Sequence, residues 1–361
     1  MTLDLLALVP YALGTTPSQR FRIEQWAPLL ERDHGIRVHF SPFADARLGA
    51  LLAQPGRVAR KAAAMARATA ARVPEALRSR RYDAVLVHRA VCLAGPALLE
   101  RVLAWSGSPF LFDFDDAIWL RHTSGANALF DRLKFPGKTA TLCRLATRVV
   151  AGSEYLAGWA RRHSPRVDVV PTSIDVAAYE ARGRSANGRV VVGWTGSATS
   201  MTHLERAAPL LRRLVAARPV EIRVLSTRPP DLPDVPVVFR PWTPDNEVDE
   251  IRTFDVGIKP MPDDEWARGK CPMKELQYLA LGIPAVCSAV GGTREAVRHG
   301  DNGYLVSTED EWMEALLRLV DDASLRARLG EAGRRTVRER YASERSAALF
   351  AASVRAVAGR S

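Results

Sequence analysis

No run in this 361-residue chain stays apolar for the roughly 18–20 positions that a bilayer crossing needs, so no membrane-spanning helix is expected. The opening MTLDLLALVPYALG has no basic segment ahead of its apolar residues. It reads as a buried first strand rather than an export signal, and the expected compartment is the cytoplasm. Cysteine is sparse: Cys92, Cys143, Cys271 and Cys287 stand far apart, with no CxxC pair and no His at ligand spacing. That excludes a recognisable zinc motif and predicts reduced thiols. Strict GxGxxG and GxxxxGK[ST] fingerprints are missing from the glycine-bearing turns, which removes the main support for a nicotinamide-dependent dehydrogenase or a P-loop nucleotidase. Lysine is scarce too, with six among 51 basic side chains.

What is present points to two α/β domains. At 47% hydrophobic and 25% charged residues the composition is that of a globular protein, and the length suits two cores rather than one. Apolar runs LDLLALVPY, IRVHFSPF, YDAVLVH, PFLFDF, RVVAGS and VDVVPTS alternate with helical patterns such as RFRIEQWAPLLERDHG and GPALLERVLAW. This alternation predicts a parallel sheet covered by helices. After the polar segment 180–189 the pattern restarts with RVVVGWTGS, VEIRVLS, VPVVFRPW, DVGIKPMP and IPAVCS. The expected fold class is therefore α/β, with two doubly wound, Rossmann-like parallel-sheet domains over 1–182 and 183–344. The apolar C-terminal helix 345–361 is expected to pack back on the first domain. Open parallel sheets bind ligands at the carboxyl ends of their strands, so a ligand cleft between the two is expected.

The net charge of +11 fits nucleic acid, an anionic membrane face or phosphorylated ligands. Basic residues concentrate between Arg57 and Arg81 in an Ala-rich helical pattern without interleaved aromatics. That argues against nucleic acid and leaves a solvated helix face or a peripheral contact with anionic lipid.

Two of the six lysines fall in GKCPMKELQYLALGIPAVCS, residues 269–288. Pro272 suits the first position of a helix, Met273, Leu276 and Ala280 share an apolar face, and Gly282 with Pro284 ends it. Lys270 and Lys274 then stand at a helix N-terminus, where the macrodipole opposes positive charge by roughly 0.3–1 kcal/mol and Cys271 makes a poor cap. An anion such as a diphosphate would accept both ammonium groups and the free backbone N–H groups together.

KELQYLALGIPAVCSAVGGTREAVRHGDNGYLV, residues 274–306, resembles the nucleotide-binding region of retaining glycosyltransferases of family 4, which have the two-domain GT-B fold. PYALGTTPSQRFRIEQWAPLL, YDAVLVHRA, FLFDFDDAIW, VGWTGSATSMTHL and DVGIKPMPDDEWARGKC are similar, in order, to blocks of one bacterial branch of that family. The resemblance implies transfer of a sugar from a nucleotide diphosphate donor to a hydroxyl with retention, without a required metal or cofactor. The donor would bind the second domain through Gly196, Ser197, Arg240, Trp242, Lys270, Cys271, Pro272, Met273, Lys274, Gln277 and Glu295. The acceptor would meet the first through Gly14, Thr15, Thr16, Arg20, Arg22, His88 and Arg89, and a saccharide, a lipid-linked or a natural-product hydroxyl all fit.

Two departures stand out. Family members carry Glu, seven residues, Glu across this helix start, where the present chain has Gly269 and Gln277. Gln277 can still bond a ribose hydroxyl through its amide, but Gly269 cannot supply a carboxylate, so Asp263, Asp264 or Glu265, or else backbone amides, are expected to hold the sugar in its place. Lys270 and Lys274 become the groups expected to neutralise the leaving diphosphate. FDFDD, residues 112–116, matches a metal-holding DxD and the nucleophile motif of some phosphatases. Three strands precede it and Ala117 follows, which disfavours the phosphatase. Asp115 and Asp116 are expected as catalytic carboxylates that stabilise oxocarbenium charge or orient the acceptor hydroxyl. A sugar-nucleotide epimerase or hydrolase of the same fold, and a non-catalytic binding protein, remain the alternatives.

Overall fold

The computed structural model describes residues 2–54, 56–120, 135, 137–179 and 188–359. Its two compact units are Met1–Thr172 with Ser343–Ser361, and Ser173–Ala342. The division falls after Thr172 rather than at residue 182, and 180–187 of the polar segment lie outside the described residues.

The first unit holds β1 (Leu3–Val9), β2 (Ile36–Pro42), β3 (Ala84–His88), β4 (Phe110–Phe114), β5 (Arg148–Ala151) and β6 (Val167–Val169), ordered β2-β1-β3-β4-β5-β6. Every pairing is parallel. Between them run α1 (Pro17–Gln19), a π-turn (Arg20–Glu24), α2 (Gln25–His34), α3 (Ala46–Ala53), α4 (Val58–Leu77), α5 (Leu98–Trp105), α6 (Gly137–Leu145) and α7 (Glu154–Ala160). β3 and β4 are buried at every position, as strands covered on both faces must be.

The second unit holds β7 (Val190–Thr195), β8 (Val220–Ser226), β9 (Val237–Pro241), β10 (Val256–Lys259), β11 (Ala285–Ser288) and β12 (Gly303–Val306), ordered β12-β11-β10-β7-β8-β9 and again all parallel. Its helices are α8 (Met201–Arg206), α9 (Ala208–Ala217), α10 (Glu247–Arg252), α11 (Glu265–Arg268), α12 (Met273–Ala280), α13 (Thr293–Ala296), α14 (Glu309–Asp321) and α15 (Ala323–Arg340). α14 opens on a full capping box between Thr308 and Glu311. The strand runs named above all form. β12 was not among them, because four residues behind an Asp-Asn-Gly turn carry too little periodicity to read as a strand.

The last helix, α16 (Ser343–Ala358), belongs to the first unit. Ala347, Phe350, Ala351, Val354 and Val357 recur at helical spacing and are buried with Leu5, Trp26, Leu86 and Leu111. The Phe350 and Trp26 ring centroids lie 5.5 Å apart, Ser353 Oγ donates to Asp168 Oδ2 at 2.6 Å, and Arg355 donates to the His34 carbonyl at 2.7 Å. Deleting the Phe350 ring would cost about 3–5 kcal/mol.

Two places in these sheets favour ligands. Strand order reverses between β7 and β10 in the second unit and between β1 and β3 in the first. Loops at such switch points diverge to opposite faces and leave a crevice at the carboxyl edge.

Candidate functional site

In the second unit the switch point is framed by the turn after β7, the end of β10 and the start of α12. Pro272 is the residue preceding α12, one position earlier than expected, and its side chain makes no cap. The first backbone N–H groups of the helix thus lack a side-chain acceptor.

Lys274 Nζ lies 4.4 Å from the Trp194 ring centroid and donates to Ser200 Oγ at 3.1 Å. Lys270 Nζ lies 4.0 Å over the Trp266 ring. The turn wraps Lys274 closely: a Cβ on Gly196 would come within 2.6 Å of its Nζ and of the Trp194 ring. Ser197 Oγ pairs with Thr199 Oγ1 at 2.8 Å, so small hydroxyls line the remainder of the turn. Gly291 has φ of +54°, and a Cβ there would meet the Arg268 carbonyl at 2.4 Å. The paired glycines therefore let the loop after β11 press against the segment that carries Lys270.

Beneath the lysines is an ion pair that the sequence reading missed. Lys259 Nζ, at the end of β10, donates to Glu275 Oε1 at 2.6 Å and to Thr293 Oγ1 at 3.1 Å. Thr293 donates in turn to Glu275 Oε1. Glu275 is fully buried, and its Oε2 has no hydrogen-bond partner among the described residues. Lys259 bonds this carboxylate and Lys274 feels its charge, while Lys270 acts on Lys274. Burial, then the Lys259 charge, depress Lys274 to about 7, against the pull of Glu275. Burial and the nearby Glu275 push the Cys287 thiol well up.

The other donor-side residues are dispersed in their contacts. Gln277 is buried and its amide donates to the Tyr179 hydroxyl at 2.9 Å. Arg240 is exposed and lies 3.7 Å from Glu250. Trp242 is half-buried with its indole N–H on Glu247 at 3.0 Å. Glu295 offers its backbone carbonyl to Tyr341 at 2.9 Å. Cys271 and Met273 are half-buried, and Pro272 is buried. Of the expected replacements for Gly269, Asp263 is engaged by Arg268 at 2.7 Å and Asp264 caps α11 through the Ala267 N–H at 2.7 Å. Both serve local structure.

The first unit gathers charge at its own switch point. His88 and Asp113 are register partners across β3 and β4, so their side chains share a face. His88 Nδ1 meets Asp113 Oδ2 at 2.7 Å, and its Nε2 meets Ser18 Oγ at 3.1 Å. Arg22 Nε donates to Asp113 Oδ2 at 3.1 Å, its Nη2 to Oδ1, and its Nη1 to the Val170 carbonyl at 2.8 Å. Arg89 bonds Asp115 through Nε at 2.9 Å and Nη2 at 2.7 Å, and Asp116 at 2.6 Å. Its φ of 62° is unusual for a non-glycine residue.

These contacts correct several expectations. Arg22 and His88 are not presented to an acceptor: both are fully buried, their polar atoms turned to Asp113 and its neighbours. The DxD does not offer two open carboxylates, because guanidinium and imidazole groups hold both Asp113 oxygens. Gly14, Thr15 and Thr16 form a turn in which Glu24 accepts from the Gly14 N–H at 2.8 Å, and Arg20 lies 5.2 Å from the Phe21 ring centroid. Burial works against the Asp115 carboxylate, but Arg89, followed by His88, Arg22 and Ser18, holds it well below the usual range. Asp113 is lowered likewise: burial works against its carboxylate, but Arg22 and His88 together outweigh it. Among the described residues no group of three or more His, Cys, Asp or Glu could hold a metal ion.

Comparison with known proteins finds similarity in the second unit. Residues 190–322 match the family model of glycosyl transferases group 1. This group 1 domain contains the whole lysine cluster. A curated relative, the D-inositol 3-phosphate glycosyltransferase of Rhodococcus opacus, is 29% identical over 223 residues, 53% of this chain and 48% of that protein. The chain spans about half the length of that relative and less of the others, down to 11%. Among solved structures, a sucrose-phosphate synthase from Thermosynechococcus elongatus superposes with a TM-score of 0.67 at 14% identity over 100% of both chains. HepE of Anabaena, in complex with UDP and glucose, does so with a TM-score of 0.67 at 16% identity over 98% and 100%. The fold is GT-B, as the resemblance implied.

Proposed function

We propose that the chain is a retaining glycosyltransferase that moves a sugar from a nucleotide diphosphate donor to a hydroxyl of a saccharide, lipid-linked or natural-product acceptor. The observation that carries this reading is Lys270 and Lys274 at the uncapped start of α12, inside the group 1 domain and at the sheet's switch point. The diphosphate accepts from both ammonium groups and the helix N–H groups, which neutralise the leaving group as the glycosidic bond breaks. Gln277 reaches the ribose, and Trp242, with Arg240 beside it, flanks the nucleobase. The first unit takes the acceptor, and the leaving phosphate receives its proton, so the protein supplies charge stabilisation and positioning without a metal or cofactor. That HepE was solved with UDP and glucose agrees with a nucleotide-sugar donor.

Calorimetry with UDP, ADP and GDP tests the reading. At least one should bind, and Lys270→Ala with Lys274→Ala should weaken it at least about a hundredfold, since two charge-assisted contacts are each worth about 1.5–3 kcal/mol. Undiminished affinity in the double variant, or binding of none of the three, sinks it.

Peripheral contact with an anionic membrane at the inner face of the cell is part of the same proposal. Among the described residues no helix is long and apolar enough to cross a membrane. On α4, exposed Ala59, Ala62, Ala66, Ala70, Val73 and Leu77 form one stripe at helical spacing, with exposed Arg60 and Arg67 beside it. Sedimentation with phosphatidylglycerol vesicles at low salt should carry the protein down, and an equal supernatant with neutral and anionic vesicles contradicts it.

A further inference from the structure

Asp115 is held by one oxygen only. Its Oδ1 accepts from Ser18 Oγ at 2.7 Å and from Arg89 Nε and Nη2 at 2.9 and 2.7 Å, and among the described residues no donor reaches Oδ2. The side chain keeps 8% exposure, and Oδ2 is its solvent-accessible oxygen.

The anchoring comes from several elements that converge. Ser18 Oγ has a single proton, and Asp115, held well below the usual carboxylate range, has none to give. The 2.7 Å contact is therefore Ser18 donating, with its lone pairs left for the His88 ring at 3.1 Å. Asp113 orients that ring from the other side, and Arg22 fixes Asp113. His88, Asp113 and Arg22 are all fully buried. Burying charged groups is expensive, and an apolar set of similar volume is often as stable or more so. Arg89 adds a strained backbone, φ 62°, at the residue that grips Asp115. Strain of this kind collects where a side chain must be aimed. A buried, strained network at a sheet switch point, ending in one open carboxylate oxygen, is a device for presenting that oxygen.

We propose that Ser18 is a positioning residue for Asp115, and that the Ser18–His88–Asp113–Arg22 chain turns Asp115 Oδ2 outward to accept a hydrogen bond from an acceptor hydroxyl beside the reacting one, whose own proton goes to the leaving phosphate, in an acceptor that is uncharged there. The neighbouring Asp116 carboxylate, also held by Arg89, disfavours an anionic group at that point. The identity of the hydroxyl rests on the transferase reading; the coupling of Ser18 to Asp115 does not.

The test uses the full chain with 13C-carboxyl-labelled aspartate, the Asp115 signal being assigned by its loss in Asp115→Asn. In the wild type that signal should stay ionised well into the acid range. Ser18→Ala should move its titration upward, and Ser18→Thr should return it. In parallel, UDP release from UDP-glucose with glycerol as acceptor should fall about tenfold in kcat for Ser18→Ala, the size expected for one lost hydrogen bond to a charged group. KM for the donor should stay unchanged, the acid limb of the kcat profile should shift upward, and Ser18→Thr should rescue both. An Asp115 titration indifferent to Ser18→Ala overturns the proposal whatever the activity, as does an unchanged kcat and acid limb. A shifted titration in a protein that turns over no nucleotide sugar removes the transferase reading and sustains the coupling.

Discussion

Binding of a nucleoside diphosphate should weaken steeply as pH rises above 7, because Lys274 has to be charged to hold it. Its ammonium is depressed to about 7 by burial and by Lys259, with Lys270 adding to the effect and Glu275 opposing it. The free protein is thus about half protonated at this position at neutral pH. A bound diphosphate supplies the counter-charge that raises the pKa, so binding takes up a proton. The sign follows directly: affinity scales with the protonated fraction, which is about one half at pH 7 and about one hundredth at pH 9. The expected loss is about fivefold from pH 7 to 8 and about fiftyfold from pH 7 to 9, or about 2.3 kcal/mol.

Two other titrations fall outside this window. A terminal phosphate ionises near a pKa of about 6, below the range. The Cys287 thiol lies well above its ordinary value. Calorimetry with UDP between pH 7 and 9 reads the slope. The same titration in two buffers of different ionisation enthalpy reads the uptake, expected at about half a proton at pH 7. Lys274→Arg should bind with a flat profile, since a guanidinium stays charged throughout, and Lys274→Met should bind weakly and also flatly. A wild-type affinity constant from pH 7 to 9, or a slope that survives in Lys274→Met, refutes the argument.

Two other perturbations follow from the buried charges. Glu275→Gln keeps the side-chain shape but removes the one carboxylate that steadies the lysines, so the midpoint of the affinity profile should move below pH 7; a midpoint that stays or rises contradicts the assignment. Arg22→Leu leaves Asp113 buried without its guanidinium and should destabilise the first unit by about 3–5 kcal/mol in urea unfolding. Adding Asp113→Leu should recover part of that loss, and no recovery means that the pair acts through something other than uncompensated charge.

The sheets were legible because each strand is a short apolar run between turns, and a strand buried on both faces needs nothing else. β12 escaped because Gly-Tyr-Leu-Val has no length in which to alternate. The placement of Lys270 and Lys274 at a helix start could be read locally, from Pro272 and the apolar spacing behind it. Lys259 and Glu275 could not. One looks like a strand-end charge and the other like an ordinary first-turn acid, and only the approach of α12 to the end of β10 makes them a pair. His88 and Asp113 were visible as separate residues, but their partnership depends on β3–β4 register, which sequence does not state. Arg22 misled for a related reason: behind a glycine turn an arginine reads as an anion ligand until a buried carboxylate is found facing it.

Gly269 and Gln277 stand where members of glycosyltransferase family 4 carry two glutamates. Glu275 does not replace them, since its Oε1 is spent on Lys259 and Thr293 and the group is fully buried. Asp263 and Asp264 are spent on Arg268 and on capping α11. What the start of α12 offers a ligand is positive charge over two aromatic rings and first-turn N–H groups, of which that of Met273 already donates to the Cys271 carbonyl at 2.9 Å, with little that reads sugar hydroxyls. Such a surface takes most of its binding energy from the diphosphate. Under the proposed function, therefore, a nucleoside diphosphate and its sugar conjugate should bind with affinities within about tenfold of each other, whereas the corresponding monophosphate should lose the charge-assisted contacts to one lysine, about 1.5–3 kcal/mol. Calorimetry of the three ligands side by side decides it. A sugar conjugate that binds far more tightly than the diphosphate contradicts the argument.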